Sequence, residues 1–478
     1  MLTKNNKDVN NPESGLLSSL LGIFFCVTVH AEQHTTIRLS ELQNRLTEPA
    51  AMVADRELRA SLTTGIWHVE QAVRQAVQWH PSIAEAVGLL LQQYERITVA
   101  KAGYYPRVTA GFKAGYDSHY QGDAFSQAFV LSVSQMLYDF GKVSGAVREA
   151  EAGVVQQQAV VLQAIDQLLW DASQAVVEIQ RYQNMVKIAG QQLTGLNRVA
   201  ALARERNTKG ASSLSDVVQS DSRIEGARAV YLQHLSQLER WRGTLAILLG
   251  EEQLGNVSEQ FPDQLNACSV AQFERYVIPA VLIAQAQRSK AVAQLAQAEV
   301  QLLPTISLDP SATHYFNDNQ FTGNNGNNRE RTQYAVALNF SVPFDQGGSV
   351  KAQQRAAAQA LQTADFAVQH AQLTARQKLL ESQNQMLNLQ QNLDILVRRQ
   401  QLSAETRDLY RQQYLELGTR PLLDLLNAEQ EIHQALMDYQ HTVSDLRQLQ
   451  LSCFYHSGIL RRVFALENTT IQGIELYP

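Results

Sequence analysis

The stretch IDQLLWDASQAVVEIQRYQNMVKIAGQQLTGLNRVAALA, residues 165–203, decides how this chain folds. Its apolar and small residues recur at alternating spacings of three and four: Ile165, Leu168, Ala172, Ala175, Ile179, Tyr182, Val186, Ala189, Leu193, Leu196, Ala200 and Ala203. A repeat of about 3.5 residues is typical of a coiled-coil seam. The pattern predicts a helix from Lys142 to Arg206 that is about 100 Å long, which is typical of a rod or a tunnel wall.

The arrangement around this stretch occurs twice along the chain. Residues 208 positions apart match in order: Gly210, Asp216, Ile224, Ala227, Tyr231, Leu238 and Gly250 with Gly418, Asp424, Ile432, Ala435, Tyr439, Leu446 and Gly458. We infer a duplication with repeat 1 at 66–250 and repeat 2 at 277–458, separated by an inter-repeat segment at 251–276. Each repeat is predicted to contain a helix, two strands, a long helix, a glycine turn and a further helix. The second long helix is predicted at Ser349 to Glu416.

The two ends of the chain carry weaker patterns. Lys4 and Lys7 precede a mostly apolar stretch, Gly15–Val29, and Ala31 follows it. This layout predicts a secretory signal peptide at 1–31, cleaved after Ala31, although a buried core helix is the alternative. Residues 32–65 are expected to form a loosely ordered lead. A C-terminal tail is assigned to 459–478. The inter-repeat segment and residues 467–478 are expected to form a collar or to lie loosely outside the tunnel.

Between the helices, the hydrophobic period changes to two, which predicts β-hairpins at 104–140 and 304–344. In the last strand, apolar Tyr334, Val336, Leu338, Phe340, Val342 and Phe344 alternate with Gln333, Ala335, Ala337, Asn339 and Ser341. Aromatic residues cluster near both ends of the strands: Tyr104, Tyr105, Tyr138, Phe140 and Phe344 at one end, and Tyr116, Tyr120, Tyr315, Phe316 and Phe321 at the other. This pattern favours transmembrane strands over the alternative, a soluble sheet packed on a core. The hairpin loops, 117–123 and 317–331, are polar.

Four strands are too few to close a barrel, since about eight are the minimum, and open strand edges cannot face lipid. Several copies must therefore share one barrel. Two copies would supply about eight strands and leave a filled interior, whereas three would supply about twelve and leave an opening. The strand pattern alone does not determine how many copies share the barrel.

Composition argues against several classes of function. The net charge is −6, without a basic excess, so no nucleic-acid partner is expected. The histidines lack metal-site spacing, and the glycines of 347–351 lack the spacing of a phosphate loop, so neither a cofactor nor a metal is expected. Two cysteines, Cys268 and Cys453, follow the signal. Cys453 falls on a seam and is expected to be a buried thiol, with a bond to Cys268 as the alternative.

Two motifs connect these features to a known family. Residues 417–428 (LGTRPLLDLLNA) and 209–217 (KGASSLSDV) resemble the periplasmic-tip signature of the TolC family of outer-membrane efflux and secretion proteins. The resemblance covers about residues 66–464. It implies a mainly α protein with a β-barrel portion: a homotrimeric α-helical tunnel in the periplasm, topped by a shared 12-stranded barrel in the outer membrane of a Gram-negative bacterium. The family is not enzymatic.

The resemblance also implies roles for residues at the tips. Arg420 would belong to a latch at the tunnel entrance, with Ser215 and Asp216 as its partners. Asp424 would form an acidic ring in the pore. A second aspartate of the family is replaced here by Asn427, which makes the constriction less acidic. Tyr414 stands one position out of step with the tyrosine of the family's latch.

The turns themselves are expected to face partners. Gly210, Gly418 and Thr419 would contact a periplasmic adaptor, which connects the duct to an inner-membrane ATPase or pump.

Two further stretches narrow the resemblance to one branch. QMLYDFGKV (135–143) and AGYYPRV (102–108) are similar to the branch that serves type I protein secretion, including adhesin export. An outer-membrane component of a multidrug efflux pump is the alternative, and a periplasmic coiled-coil scaffold or adaptor is the alternative from another class.

Overall fold

A computed structural model describes residues 37–38, 66–117, 124–266, 268, 277–316, 331–343 and 347–476. The predicted signal peptide, most of the lead, most of both hairpin loops, Tyr120, Phe321 and Phe344 lie outside the described residues. The helices are α1 Val69–Trp79, α2 Pro81–Lys101, α3 Lys142–Thr208, α4 Leu214–Leu249, α5 Pro279–Glu299, α6 Ser349–Gln412, α7 Leu422–Ser457 and α8 Leu460–Val463. The strands are β1 Ile37–Arg38, β2 Arg107–Asp117, β3 Ala124–Tyr138, β4 Thr305–Tyr315, β5 Thr332–Ser341, β6 Thr470–Ile471 and β7 Ile474–Leu476.

Two long helices, α3 and α6, run the length of the helical part, and shorter helices pack beside them. Near the strands, α2 and α5 flank α3, and α5 also packs on α6. Toward the other end, α4, α3, α7 and α6 pack in that order. The predicted seam is buried on α3, where Ile165, Ala172 and Ile179 are inaccessible to solvent. The duplicated order of elements is therefore confirmed, and α3 extends two residues beyond its predicted end.

The second long helix differs from the prediction at its end. The α-helix stops at Gln412, and Gln413–Leu417 form a single π-helical turn before Gly418. A π turn takes up one more residue than an α turn, because its hydrogen bonds run from i to i+5. The extra residue accommodates Tyr414, which stands one position out of step with the latch tyrosine that the resemblance implies.

The two hairpins form one antiparallel sheet in the order β2-β3-β4-β5, so that β3 and β4 join the repeats. The strand β4 has 11 residues. Pro310 lies within it opposite Val336 of β5, and the register between β3 and β4 skips this position. Proline has no N–H to donate, so it is tolerated where the ladder is interrupted.

The two faces of the sheet have different character. The apolar face is exposed on β2, β3 and β5: Val108, Phe112, Phe129, Leu131, Tyr334, Val336, Leu338 and Phe340 are 39% to 77% accessible. The opposite face carries Thr109, Ser132, Asp309 and Asn339, and Ser134 there donates a hydrogen bond to Asp309 (2.5 Å). No described part of the chain covers the apolar face as a protein core would. Among the described helices, none combines the length and the apolar character needed to cross a bilayer.

The C-terminal tail packs against the helices, which agrees with the collar and not with the loose segment among the two expected alternatives. β7 pairs with β6 and with β1, and Phe464, Leu466 and Ile474 are buried in a core shared with α1, α2 and α3. Arg461 of α8 donates to the buried carboxylate of Asp166 on α3 (2.5 Å). Sequence patterns miss this segment because its strands are too short to show a period.

The inter-repeat segment is also attached to the helices. Trp67 forms a parallel bridge with Val257, and Leu265 is fully buried. Cys268 forms a disulfide with Cys453 of α7. The expectation of a free buried thiol at Cys453 is therefore wrong, and the alternative pairing is the one present.

Candidate functional site at the helix tips

Two turns lie at the end of the helices farthest from the sheet, about 100 Å along α3. The first tip is the turn 209–213 between α3 and α4, and the second tip is the stretch 413–421 between α6 and α7. A common apolar cluster supports both: Leu196, Val199, Ala203, Ala227, Tyr414, Leu422, Leu425 and Leu426 are buried together. The fold thus brings the predicted site residues of both repeats to one place.

Backbone hydrogen bonds close the first tip. Gly210 has a φ of +71°, and the N–H groups of Gly210 and Ala211 donate to the carbonyls of Asn207 (2.9 Å) and Arg206 (2.7 Å). This pair of bonds is a Schellman motif, and it satisfies carbonyls that the helix end leaves free.

A capping box then begins α4 at the first tip. The Asp216 N–H donates to Ser213 Oγ (3.1 Å), and the Ser213 N–H donates to Asp216 Oδ2 (3.1 Å). Ser212 also donates to this carboxylate (2.7 Å). The hydrogen bond from Ser212, with those from Ser213, holds the pKa of Asp216 below its usual value. The first tip is therefore locked by its own local hydrogen bonds.

The second tip has a different construction. Gly418 has a φ of +61°, and Pro421 caps α7 without a side-chain hydrogen bond. Arg420 donates through Nε to Gln413 Oε1 (2.9 Å) and through Nη1 to Asp424 Oδ2 (3.1 Å). Its guanidinium also lies 4.3 Å from the centroid of the Tyr410 ring. One partly buried arginine thus connects the end of α6 to the start of α7.

The predicted partners of Arg420 do not contact it within one chain. Asp216 forms its hydrogen bonds with Ser212 and Ser213, and Ser215 is exposed. In the described residues, Arg420 pairs instead with Gln413 and Asp424. Within one chain, both side chains are engaged with local partners, so the predicted latch between Arg420 and Asp216 would require a neighbouring copy. A contact between neighbouring copies stays a prediction.

The predicted constriction residues lie on the first turns of α7. Asp424 is about one third accessible and pairs with Arg420. Asn427, the other residue of the predicted constriction, accepts a hydrogen bond from Nη2 of Arg223 on α4 (3.1 Å). Its side-chain amide therefore connects α7 to α4. Gly210, Gly418 and Thr419 are exposed, so the turns are accessible to a partner.

Sequence reasoning missed one contact between the repeats. The guanidinium of Arg206, at the end of α3, lies 4.7 Å from the centroid of the Tyr414 ring, and its Nη1 donates to the Tyr414 carbonyl (3.1 Å). The two residues stand four positions before Gly210 and Gly418, respectively. This equal spacing from the turns is the signal that could have indicated them.

The described residues contain no group of three or more His, Cys, Asp or Glu side chains arranged to hold a metal ion. The arrangement of the tips can hold helix ends together or release them. No nucleophile and base are paired there.

Known proteins resemble this chain over most of its length. The model of the family described as outer membrane efflux protein matches residues 72–251 and 278–450. Outer membrane protein TolC of Salmonella enteritidis is 23% identical over 85% of this chain and 86% of its own length. Outer membrane efflux protein BepC of Brucella suis is 22% identical over 76% of this chain and 79% of its own. The crystal structure of outer membrane protein VceC from Vibrio cholerae superposes with a TM-score of 0.70 at 17% identity, covering 82% of this chain and 96% of that one.

Proposed function

The chain belongs to the outer membrane efflux protein family and is an outer-membrane duct component, and we propose that three copies form one continuous channel across the periplasm and the outer membrane. The proposal rests on one observation above all. Each chain supplies a four-stranded sheet with an exposed apolar face, and its edge strands β2 and β5 each pair on one side only among the described residues. Such edges are excluded from lipid unless further copies pair with them.

The helices support the same assembly. An apolar stripe runs along the exposed side of α6 at steps of seven, with one step of eight: Phe366, Leu373, Leu380, Leu387, Ile395, Leu402 and Leu409 are 43% to 65% accessible. A heptad stripe is typical of a helix that packs on another helix. The outer side of α4 also exposes Leu214, Val218 and Leu232. Because α4 and α6 lie at opposite ends of the row of four helices, we expect α6 of one copy to pack on α4 of the next.

The tips would then surround the periplasmic entrance. Arg420 would form the latch by reaching Ser215 and Asp216 of a neighbouring copy, with Asp424 and Asn427 lining the constriction. The exposed turns at Gly210, Gly418 and Thr419 would receive a periplasmic adaptor. Energy would come from an inner-membrane ATPase or pump that this adaptor connects to the duct.

Native mass spectrometry of protein extracted from the outer-membrane fraction tests the assembly. Cells expressing the full chain are fractionated, and the outer membrane is extracted with detergent. We expect a trimer in that fraction. A soluble periplasmic monomer would overturn the proposal and would favour the scaffold alternative.

We further propose that the duct exports protein as part of a type I secretion system, on the basis of the resemblance at 102–108 and 135–143. A multidrug efflux role is the alternative. Deletion of the gene separates the two. Type I secretion predicts that a large protein disappears from the culture medium while drug susceptibility stays unchanged, whereas efflux predicts sensitisation to drugs with an unchanged set of secreted proteins.

A further inference from the structure

The second tip contains a buried contact that the role of Arg420 does not explain. Tyr414 lies in the π turn and is only 4% accessible. Arg206 of α3 stacks on its ring and donates to its backbone carbonyl (3.1 Å). A π turn that ends a helix leaves carbonyl groups without intrahelical partners, and Arg206 satisfies one of them.

The hydroxyl group of Tyr414, unlike its ring and its carbonyl, is not held by Arg206. It is buried and forms no hydrogen bond to any described residue. The nearby Ser212 hydroxyl instead donates to Asp216 (2.7 Å). What holds this tyrosine within the chain is therefore its ring and its backbone, together with the apolar cluster of Leu422, Leu425 and Leu426.

We propose that Arg206 is a positioning residue of the gate, which holds the π turn at the end of α6 against α3 through the ring and the carbonyl of Tyr414. The inference rests on the proposed channel function and adds a named contact to it. The end of α6 can move away from α3 only if this stacking and this hydrogen bond are broken. Arginine suits both tasks, because its planar guanidinium stacks and donates at once, whereas a lysine ammonium cannot stack in this way.

The test measures single-channel conductance of the purified full-length protein in planar bilayers. Arg206→Ala should raise the conductance of the closed channel several-fold, and Arg206→Lys should recover only part of the closure. Tyr414→Leu should open the channel like Arg206→Ala, and Tyr414→Phe should retain most of the closure that Tyr414→Leu loses. Arg204→Ala is the matched control. Arg204 stands two residues before Arg206 and forms an exposed ion pair with Asp221, so the substitution removes the same charge without touching the π turn.

Hydrogen exchange at residues 413–417 provides a second measurement that does not depend on conduction. Exchange there should accelerate in Arg206→Ala and stay unchanged in Arg204→Ala, with native mass spectrometry reporting that each variant assembles as the parent does. Equal conductance and equal exchange for Arg206→Ala and the parent would overturn the inference. If the parent protein forms no channel at all, the proposed function fails, and the exchange comparison still decides whether Arg206 holds the π turn.

Discussion

The first and second tips descend from one duplicated turn, yet they are held in different ways. The first tip has a Schellman motif at Gly210 and a capping box between Ser213 and Asp216, and all of these bonds lie between Arg206 and Asp216. The second tip has a π turn and a proline cap without a side-chain bond. Arg420 bonds to Gln413 and Asp424 nearby in the chain, and Arg206 holds this tip from a separate helix, α3.

The difference indicates which tip moves. Local hydrogen bonds persist when neighbouring helices shift, because both partners travel together. Contacts between elements are lost in the same movement. We therefore infer that the first tip behaves as a rigid end and that the second tip is the element that parts when the channel opens.

The largest effect is expected for Arg420→Ala. This change removes the hydrogen bonds to Gln413 and Asp424 and the contact with Tyr410, so α6 and α7 lose their direct connection at the tip. Single-channel conductance should rise several-fold in planar bilayers. Arg411→Ala, which removes an exposed arginine from the last turn of α6, serves as the control and should behave like the parent. Parental conductance from an intact Arg420→Ala trimer would contradict the role of the second tip.

A matched pair of glycine substitutions compares the tips directly. A Cβ at Gly210 or at Gly418 would meet no atom within 4 Å, so the cost of alanine arises from the positive φ alone, about 1 kcal/mol at either position. Gly418→Ala should raise channel conductance, whereas Gly210→Ala should lower the thermal stability with little change in conductance. The comparison fails if Gly210→Ala opens the channel as much as Gly418→Ala does.

A smaller, pH-dependent effect is expected at the first tip. The pKa of Asp216 is lowered from 3.8 by its hydrogen bonds with Ser212 and Ser213. A carboxyl group with a lowered folded-state pKa contributes stability above its unfolded value, and this contribution is lost as the pH falls through that value toward the folded one. Hydrogen-exchange protection at 213–217 should therefore decline on acidification below about pH 4. In Asp216→Asn this decline should disappear, and its persistence would show that another group controls the first tip.

The smallest effect is expected when the second tip is given the cap of the first. Pro421→Ser places a serine three residues before Asp424, the spacing that Ser213 and Asp216 have in the capping box. A serine cap contributes about 1 kcal/mol at most sites, and part of this is offset here because Asp424 must turn away from Arg420. Exchange at 422–425 should slow slightly and the closed channel should persist longer. Faster exchange would mean that the proline itself holds α7 in place.

The long helices could be predicted closely from the sequence. Heptad spacing covers residues 165–203 of α3, and the predicted starts of α3 at Lys142 and of α6 at Ser349 agree with the structure. The π turn could not be predicted, because hydrophobic spacing does not reveal a change in backbone hydrogen bonding over five residues. The place of Pro310 inside β4 could not be predicted for a related reason: proline is disfavoured inside strands, and only the pairing across strands shows why it is tolerated there.

The site was predictable in its location and less so in its contacts. The glycine turns and the residues around Arg420 follow from the motifs, and both turns lie at one end of the helices. The partners of Arg420 depend on which side chains come within about 3 Å after folding, which neighbouring positions in the sequence do not determine. The disulfide between Cys268 and Cys453, 185 residues apart, depends on long-range packing in the same way.

Hydrogen–deuterium exchange on the detergent-extracted full-length protein tests the central claim most directly, because it measures both tips in one sample. Amides at 413–424 should exchange faster than amides at 205–216, since the first tip keeps its own hydrogen bonds while the second depends on contacts between elements. Equal exchange at the two tips, or faster exchange at the first, would contradict the assignment of the second tip as the moving part of the gate.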